Sequence, residues 1–114
     1  MINEYKRYAS ICSQTDYEEK ESVTSHNNAV DQMYRIVIEA AKIGPDSINE
    51  LAELLVDKIA APWLAHHLIE KTEIPKTLEG KCFEIIENIA LGSDVDAMGE
   101  KQWLREWKNK KGRV

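Results

Sequence analysis

Apolar residues recur every three or four positions through most of this chain, and prolines and glycines interrupt them at short intervals. Ile2, Tyr5, Ala9 and Cys12 share one side of a helix over residues 2–14, and Tyr8 widens it. Residues 16–28 are polar and read as a loop or as helix continuation, with Ser22, Ser25, Asn27 and Asn28 weighing against a helix interior. From Ala29 a stripe of Val30, Met33, Tyr34, Val37, Ala40 and Ala41 predicts a second helix, closed by Gly44 at its C-terminal end.

Each proline falls where a new helix is expected, because the missing N–H is tolerated in the first turn and not in the interior. Pro45 precedes a third helix with Ile48, Leu51, Leu54 and Leu55 inward, and Ser47 to Glu50 has the spacing of a capping box. Pro62 opens a fourth, Pro75 a fifth with Leu78, Cys82, Ile85, Ile86 and Ile89 inward, and Gly92 closes it. Acids at Asp94 and Asp96 suit the start of a last helix carrying Ala97, Met98, Trp103, Leu104 and Trp107. No stretch alternates with strand period. The expected fold is all-α, five or six helices in antiparallel hairpins stacked as an α-solenoid fragment. It forms one domain, with 2–28 as an N-terminal helix and polar connection, 29–107 as the repeat core and 108–114 as a frayed basic tail.

A chain of 114 residues suits that single domain, and its charge is unevenly placed. The formal net charge is −5. Residues 1–100 carry a net −10, and residues 101–114 a net +5. An acidic body of this kind argues against general nucleic-acid binding and suits a basic protein partner. No apolar leader or membrane-length stretch is visible, so the expected location is cytoplasmic, without membrane association.

Catalytic signatures are scarce. Cys12 and Cys82 lie on apolar helix faces and read as reduced, buried small hydrophobes. His66 and His67 point about 100° apart on a helix and are poorly placed for one metal, and no His-Glu-x-x-His spacing exists. His66 and Glu70 are four apart and suited to a hydrogen bond. There is no Gly-rich phosphate loop and no nucleophile elbow. The pairs Glu50/Glu53 and Glu84/Glu87 read as solvated helix faces, or as parts of an acidic patch that meets a cationic surface. Trp63, Trp103 and Trp107 are core residues or interface anchors. No enzyme activity, metal, cofactor or small-molecule substrate is expected.

Residues 40–111 resemble a small bacterial family of HEAT-like helical domains of unknown function. The resemblance is carried by Gly44-Pro45-Asp46, the helix through Leu51 to Leu55, Pro62-Trp63, and the ending Asp96-Ala97 followed by Leu104-Arg105-Glu106-Trp107-Lys108. Residues 1–30 do not take part. The resemblance implies no established catalysis. Some similar small acidic helical proteins are encoded beside bacterial toxins, as antitoxins or as immunity proteins of contact-dependent inhibition systems. The function so implied is binding and neutralising a cognate toxin, a nuclease or RNase, by covering its active site or substrate surface. A HEAT-like nucleic-acid-associated protein, with the basic tail touching phosphate, and a generic adaptor are the alternatives. Contacts expected by exposure are Glu50, Glu53 and Asp57 on the third helix, His67 and Glu70 on the fourth, and Glu84 and Glu87 on the fifth.

Overall fold

Helix α1 (Ile2–Ser13) buries the side that its spacing predicts, with Tyr5, Ala9 and Cys12 inward. This is seen in a computed structural model that describes residues 1–111 of the chain, with side chains up to position 109. Helix α2 (Lys20–Ile43) starts well before Ala29, so of the two readings of residues 16–28 the helical one holds from Lys20 onward, the expected boundary at 28/29 moves, and the polar connection shortens to residues 14–19. Side-chain bonds close the turn between them. The Asp16 N–H donates to Ser22 Oγ at 2.8 Å, and Thr15 Oγ1 lies 2.9 Å from His26 Nδ1. With α1 packed along α2, the weak helix preference of the serines and asparagines is overridden by tertiary contact.

Gly44 ends α2 at φ 141°, a region that disfavours side chains, and its carbonyl accepts the first bonds of α3 (Pro45–Leu51). Pro45 is therefore the first helical residue, as expected. Ser47 sits inside the helix instead of capping it, so the capping box does not form. The chain then tightens into a 3-10 helix, Ala52–Val56, and the predicted single third helix is broken there. Ile48, Leu51 and Leu54 still point inward across the break.

Asp57 starts the next helix. Its Oδ1 accepts the N–H groups of Ile59 and Ala60 at 2.9 and 3.0 Å, and Lys6 Nζ lies 3.4 Å from Oδ2. Helix α4 (Ala60–Lys71) thus begins two residues before Pro62, which the first turn tolerates. Pro75 is the N-cap of α5 (Lys76–Ala90), and Gly92 lies in the turn after it. Helix α6 (Val95–Lys111) is entered through Asp94, whose Oδ1 accepts the Ala97 N–H at 2.8 Å. It continues through Lys108–Lys111, so that part of the tail is helical, not frayed. The side chains of Lys110 and Lys111, and Arg113 altogether, lie outside the described residues.

The architecture is all-α, and consecutive helices pack on one another, as the stop-and-start pattern predicts. α4 is central: α1, α2, the 3-10 helix and α5 all pack on it. Ala60, Ala61, Leu64, Ala65, His67, Leu68 and Ile69 are buried, so most of its circumference faces protein. Because α1 folds back to α4, the stack closes on itself. The radius of gyration is 14.3 Å, near the roughly 13 Å of a compact chain of this size.

Candidate functional site

Two neighbouring histidines on α4 mark two different environments. His67 faces inward and is 2 % exposed. Tyr5 of α1, fully buried, places its hydroxyl 2.7 Å from His67 Nδ1. Burial pushes the Tyr5 phenol upward, so it keeps its proton, and Nδ1 is the acceptor within reach. Neutral His67 then carries its proton on Nε2. Burial first, and the charges of His66 and Lys71 next, push His67 down to about 3. The rings of Tyr34 and Trp63 stand 4.4 and 6.3 Å from it, centre to centre. This arrangement joins α1, α2 and α4 in the core. His67 is not a surface contact, which corrects its expected role. It also has the wrong properties for acid–base work near neutral pH.

His66 faces the seam between α4 and α6. Its Nε2–H donates to Glu100, with both carboxylate oxygens at 2.8 Å. The expected partner Glu70 is farther, 3.9 Å from Nδ1, and instead accepts the Trp103 indole N–H at 2.8 Å. His66 stands edge-on to Trp103 with 4.4 Å between ring centres, and Trp103 stacks on Trp107 at 5.2 Å. Phe83 of α5 lies 6.2 Å from Trp103. The spacing of Trp103 and Trp107 predicts that they share a face, and they do. Nothing in the local sequence ties Glu100 to a histidine 34 positions away.

Beyond this seam the surface between α5 and α6 holds an open recess of about 470 Å³, lined by Glu79, Phe83, Glu87, Trp107 and Lys108. Glu79, Phe83 and Glu87 recur every four residues on α5, so two carboxylates flank an aromatic floor. Such a recess suits a cationic side chain, whose charge meets the carboxylates while its flat or methylene part covers the rings.

The seven expected contact residues do not gather at one place. Glu50 and Glu53 are exposed on α3 and on the 3-10 helix, and Glu84 and Glu87 are exposed on α5. The 3-10 helix and α5 each pack on α4. Asp57 is committed to the start of α4. The Ala60 N–H holds its carboxyl below the usual range, against desolvation and with help from the Ile59 N–H and Lys6. Glu70 is held by Trp103, and His67 is buried. Glu87 alone of the seven lines the recess, and Glu79, unremarked in the sequence, joins it there.

Both thiols are buried and free, as their apolar positions predict, and burial pushes each up to about 11. In the native protein at pH 7.5 or so, a thiol-specific disulfide reagent is therefore expected to label neither cysteine quickly, and both at once in denaturant. Fast labelling of the native protein counts against the packing around Cys12 or Cys82. Among the described residues no group of three His, Cys, Asp or Glu is placed to hold a metal ion, and no helix is long and apolar enough to cross a membrane. No family model, curated protein or solved structure matches the chain.

Proposed function

We propose that this chain is a non-catalytic binding protein whose acidic helical surface engages a basic protein, and that this partner is a bacterial toxin domain of the nuclease class. It neutralises the toxin by covering the active site or the groove that takes the substrate. The observation that carries the binding reading is the α5–α6 recess, where Glu79 and Glu87 stand beside Phe83 and Trp107, and Lys108 at the same recess offsets one of the two negative charges. An arginine or lysine of the partner fits there. Nuclease surfaces are basic because they bind phosphate, so acidic helices compete for the same charges. Exposed Glu84 on α5, and Glu50 and Glu53 on the other side of α4 in the packing order, extend the negative field. The choice of a toxin rests on the sequence resemblance of residues 40–111. The basic stretch of α6 is what supports a nucleic-acid reading, and a net charge of −5 opposes it.

The test is co-purification with the C-terminal domain of the protein encoded immediately upstream, followed by the nuclease activity of the complex. Loss of activity on binding is expected. Glu53→Lys with Glu87→Lys should weaken the complex at least about tenfold, chiefly by slowing association, and should flatten its salt dependence. Unchanged kinetics in that double variant remove these carboxylates from the mechanism, and an upstream product that does not bind removes the toxin reading.

A further inference from the structure

Helix α6 packs along α5 and reaches α4 through side chains. Over residues 95–109 only Ala97 is buried, while Glu100, Trp103, Leu104 and Trp107 are half-buried. These five recur at helical spacing and form the docked stripe of α6. Glu100 is the odd member, a carboxylate one turn from Ala97 and one turn from Trp103. It is answered across the seam by His66 at 2.8 Å. The next bond runs the other way, from the Trp103 indole N–H to Glu70 at 2.8 Å. Each helix thus gives one N–H donor and one carboxylate, and the two bonds form a reciprocal clasp between α4 and α6.

A clasp of this kind fixes register more than it adds stability. The seam is only half-buried, so water can take over both bonds when they break. Apolar contacts tolerate sliding, whereas a hydrogen bond weakens steeply once its geometry is lost. Opening α6 uncovers Ala97 and the half-buried aromatics, and it leaves the core between α1, α2 and α4 in place. The clasp also reaches the recess. Trp103 is stacked on Trp107 with an angle of 12° between the rings, so what fixes Trp103 fixes Trp107. Trp107 and Lys108 are the α6 side of the recess, and Glu79, Phe83 and Glu87 are the α5 side. The recess has two walls only while α6 is docked.

We infer that α6 is a strap that opens and closes as a unit, latched to α4 by the reciprocal His66–Glu100 and Trp103–Glu70 bonds, and that closing it builds the α5–α6 recess. The second part rests on the recess being the binding site proposed above. A ligand in the recess then holds the strap shut, and by linkage a shut strap binds the ligand better. His66, Glu70 and Glu100 are positioning residues here, since none of them lines the recess.

Native-state hydrogen exchange of the full chain tests the strap without any ligand. Amides of residues 100–106 should exchange at least about tenfold faster than those of α2 and α4, through an opening that leaves both of those helices protected. Glu100→Ala should quicken them about tenfold further and leave the amides of α1 and α2 unchanged. Glu100→Gln keeps an oxygen for the His66 N–H and should stay near wild type. Exchange of α6 only together with α2 and α4 overturns the inference. Acceleration by Glu100→Ala that spreads over every helix overturns it equally, because that marks ordinary destabilisation. N-acetyl-arginine amide tests the coupling to the recess. It should shift the Trp107 indole resonance and slow exchange at residues 100–106 in proportion to occupancy, without affecting α1. A shift at Trp107 with unchanged α6 exchange overturns the coupling. No shift at all removes the recess as the binding site and the coupling with it, and exchange in the free protein still decides the strap.

Discussion

Replacing Tyr5 with alanine is expected to remove about 3–5 kcal/mol of stability, as truncation of a large buried aromatic does. That is a large share of the roughly 5–15 kcal/mol that holds a domain of this kind folded. Tyr5 is fully buried in α1, yet its hydroxyl is bonded to His67 on α4, 62 positions away. The ring fills space, and the hydroxyl satisfies a nitrogen that has little access to water. Tyr5→Phe separates these two contributions. It keeps the ring and strands Nδ1 of His67, at a cost of about 1–3 kcal/mol. His67→Leu strands the phenol instead, at a similar cost. In the double variant Tyr5→Phe/His67→Leu neither polar group remains, and the two penalties should largely cancel. Urea unfolding of the four proteins measures this. Simple addition of the two single effects is the result that contradicts a direct pair.

The same pair shows where reading the sequence stops working. The inward sides of α1, α2 and α5 follow from periodicity, because each of these helices meets protein on one side and solvent on the other. Tyr5, Met33, Val37, Cys82 and Ile86 are placed by that rule and are all buried. α4 breaks the rule because other elements surround it. A helix enclosed over most of its surface leaves only a narrow outer stripe, here Pro62, His66 and Glu70, and His67 falls outside that stripe and is carried into the core. The signal was present in the near-continuous small and apolar run from Ile59 to Ile69, which His66 and His67 interrupt. What no spacing could supply was the partner, since the Tyr5–His67 bond depends on α1 returning across the stack.

The prolines and α6 show the same division. Proline chemistry located three helix starts to within two residues, because that constraint acts on the local backbone. Residues 20–28 were obscured because propensity is weak there and contact with α1 prevails. In α6, the shared face of Trp103 and Trp107 was legible. The pairing of His66 with Glu100, and the recess that brings Glu79 to Glu87 and Trp107, depend on how α6 docks on α4 and α5. An acidic surface could thus be anticipated from composition, while the recess between α5 and α6 could not.

Acid should test the burial of His67 more severely than it tests the rest of the protein. In the fold this imidazole protonates only near pH 3, against its ordinary 6.5. Between those values the unfolded chain binds a proton that the native chain refuses, so stability falls as the pH falls. The slope is about 1.4 kcal/mol per pH unit once His67 is largely protonated in the unfolded chain, or roughly 2–3 kcal/mol between pH 7 and pH 4.5. Asp57 adds to the loss only at lower pH. Its carboxyl titrates lower in the fold than when unfolded, so its stabilising effect persists until protonation begins. Tyr5 and both thiols are pushed up and hold their protons throughout this range. The Tyr5→Phe/His67→Leu protein has the same carboxylates but lacks the imidazole, so the difference between the two stability curves isolates His67. Wild type should lose roughly 2–3 kcal/mol more than the double variant from pH 7 to pH 4.5. Parallel curves would mean that His67 takes up its proton without disturbing the fold. In that case α1 and α4 would not be held together by the neutral pair.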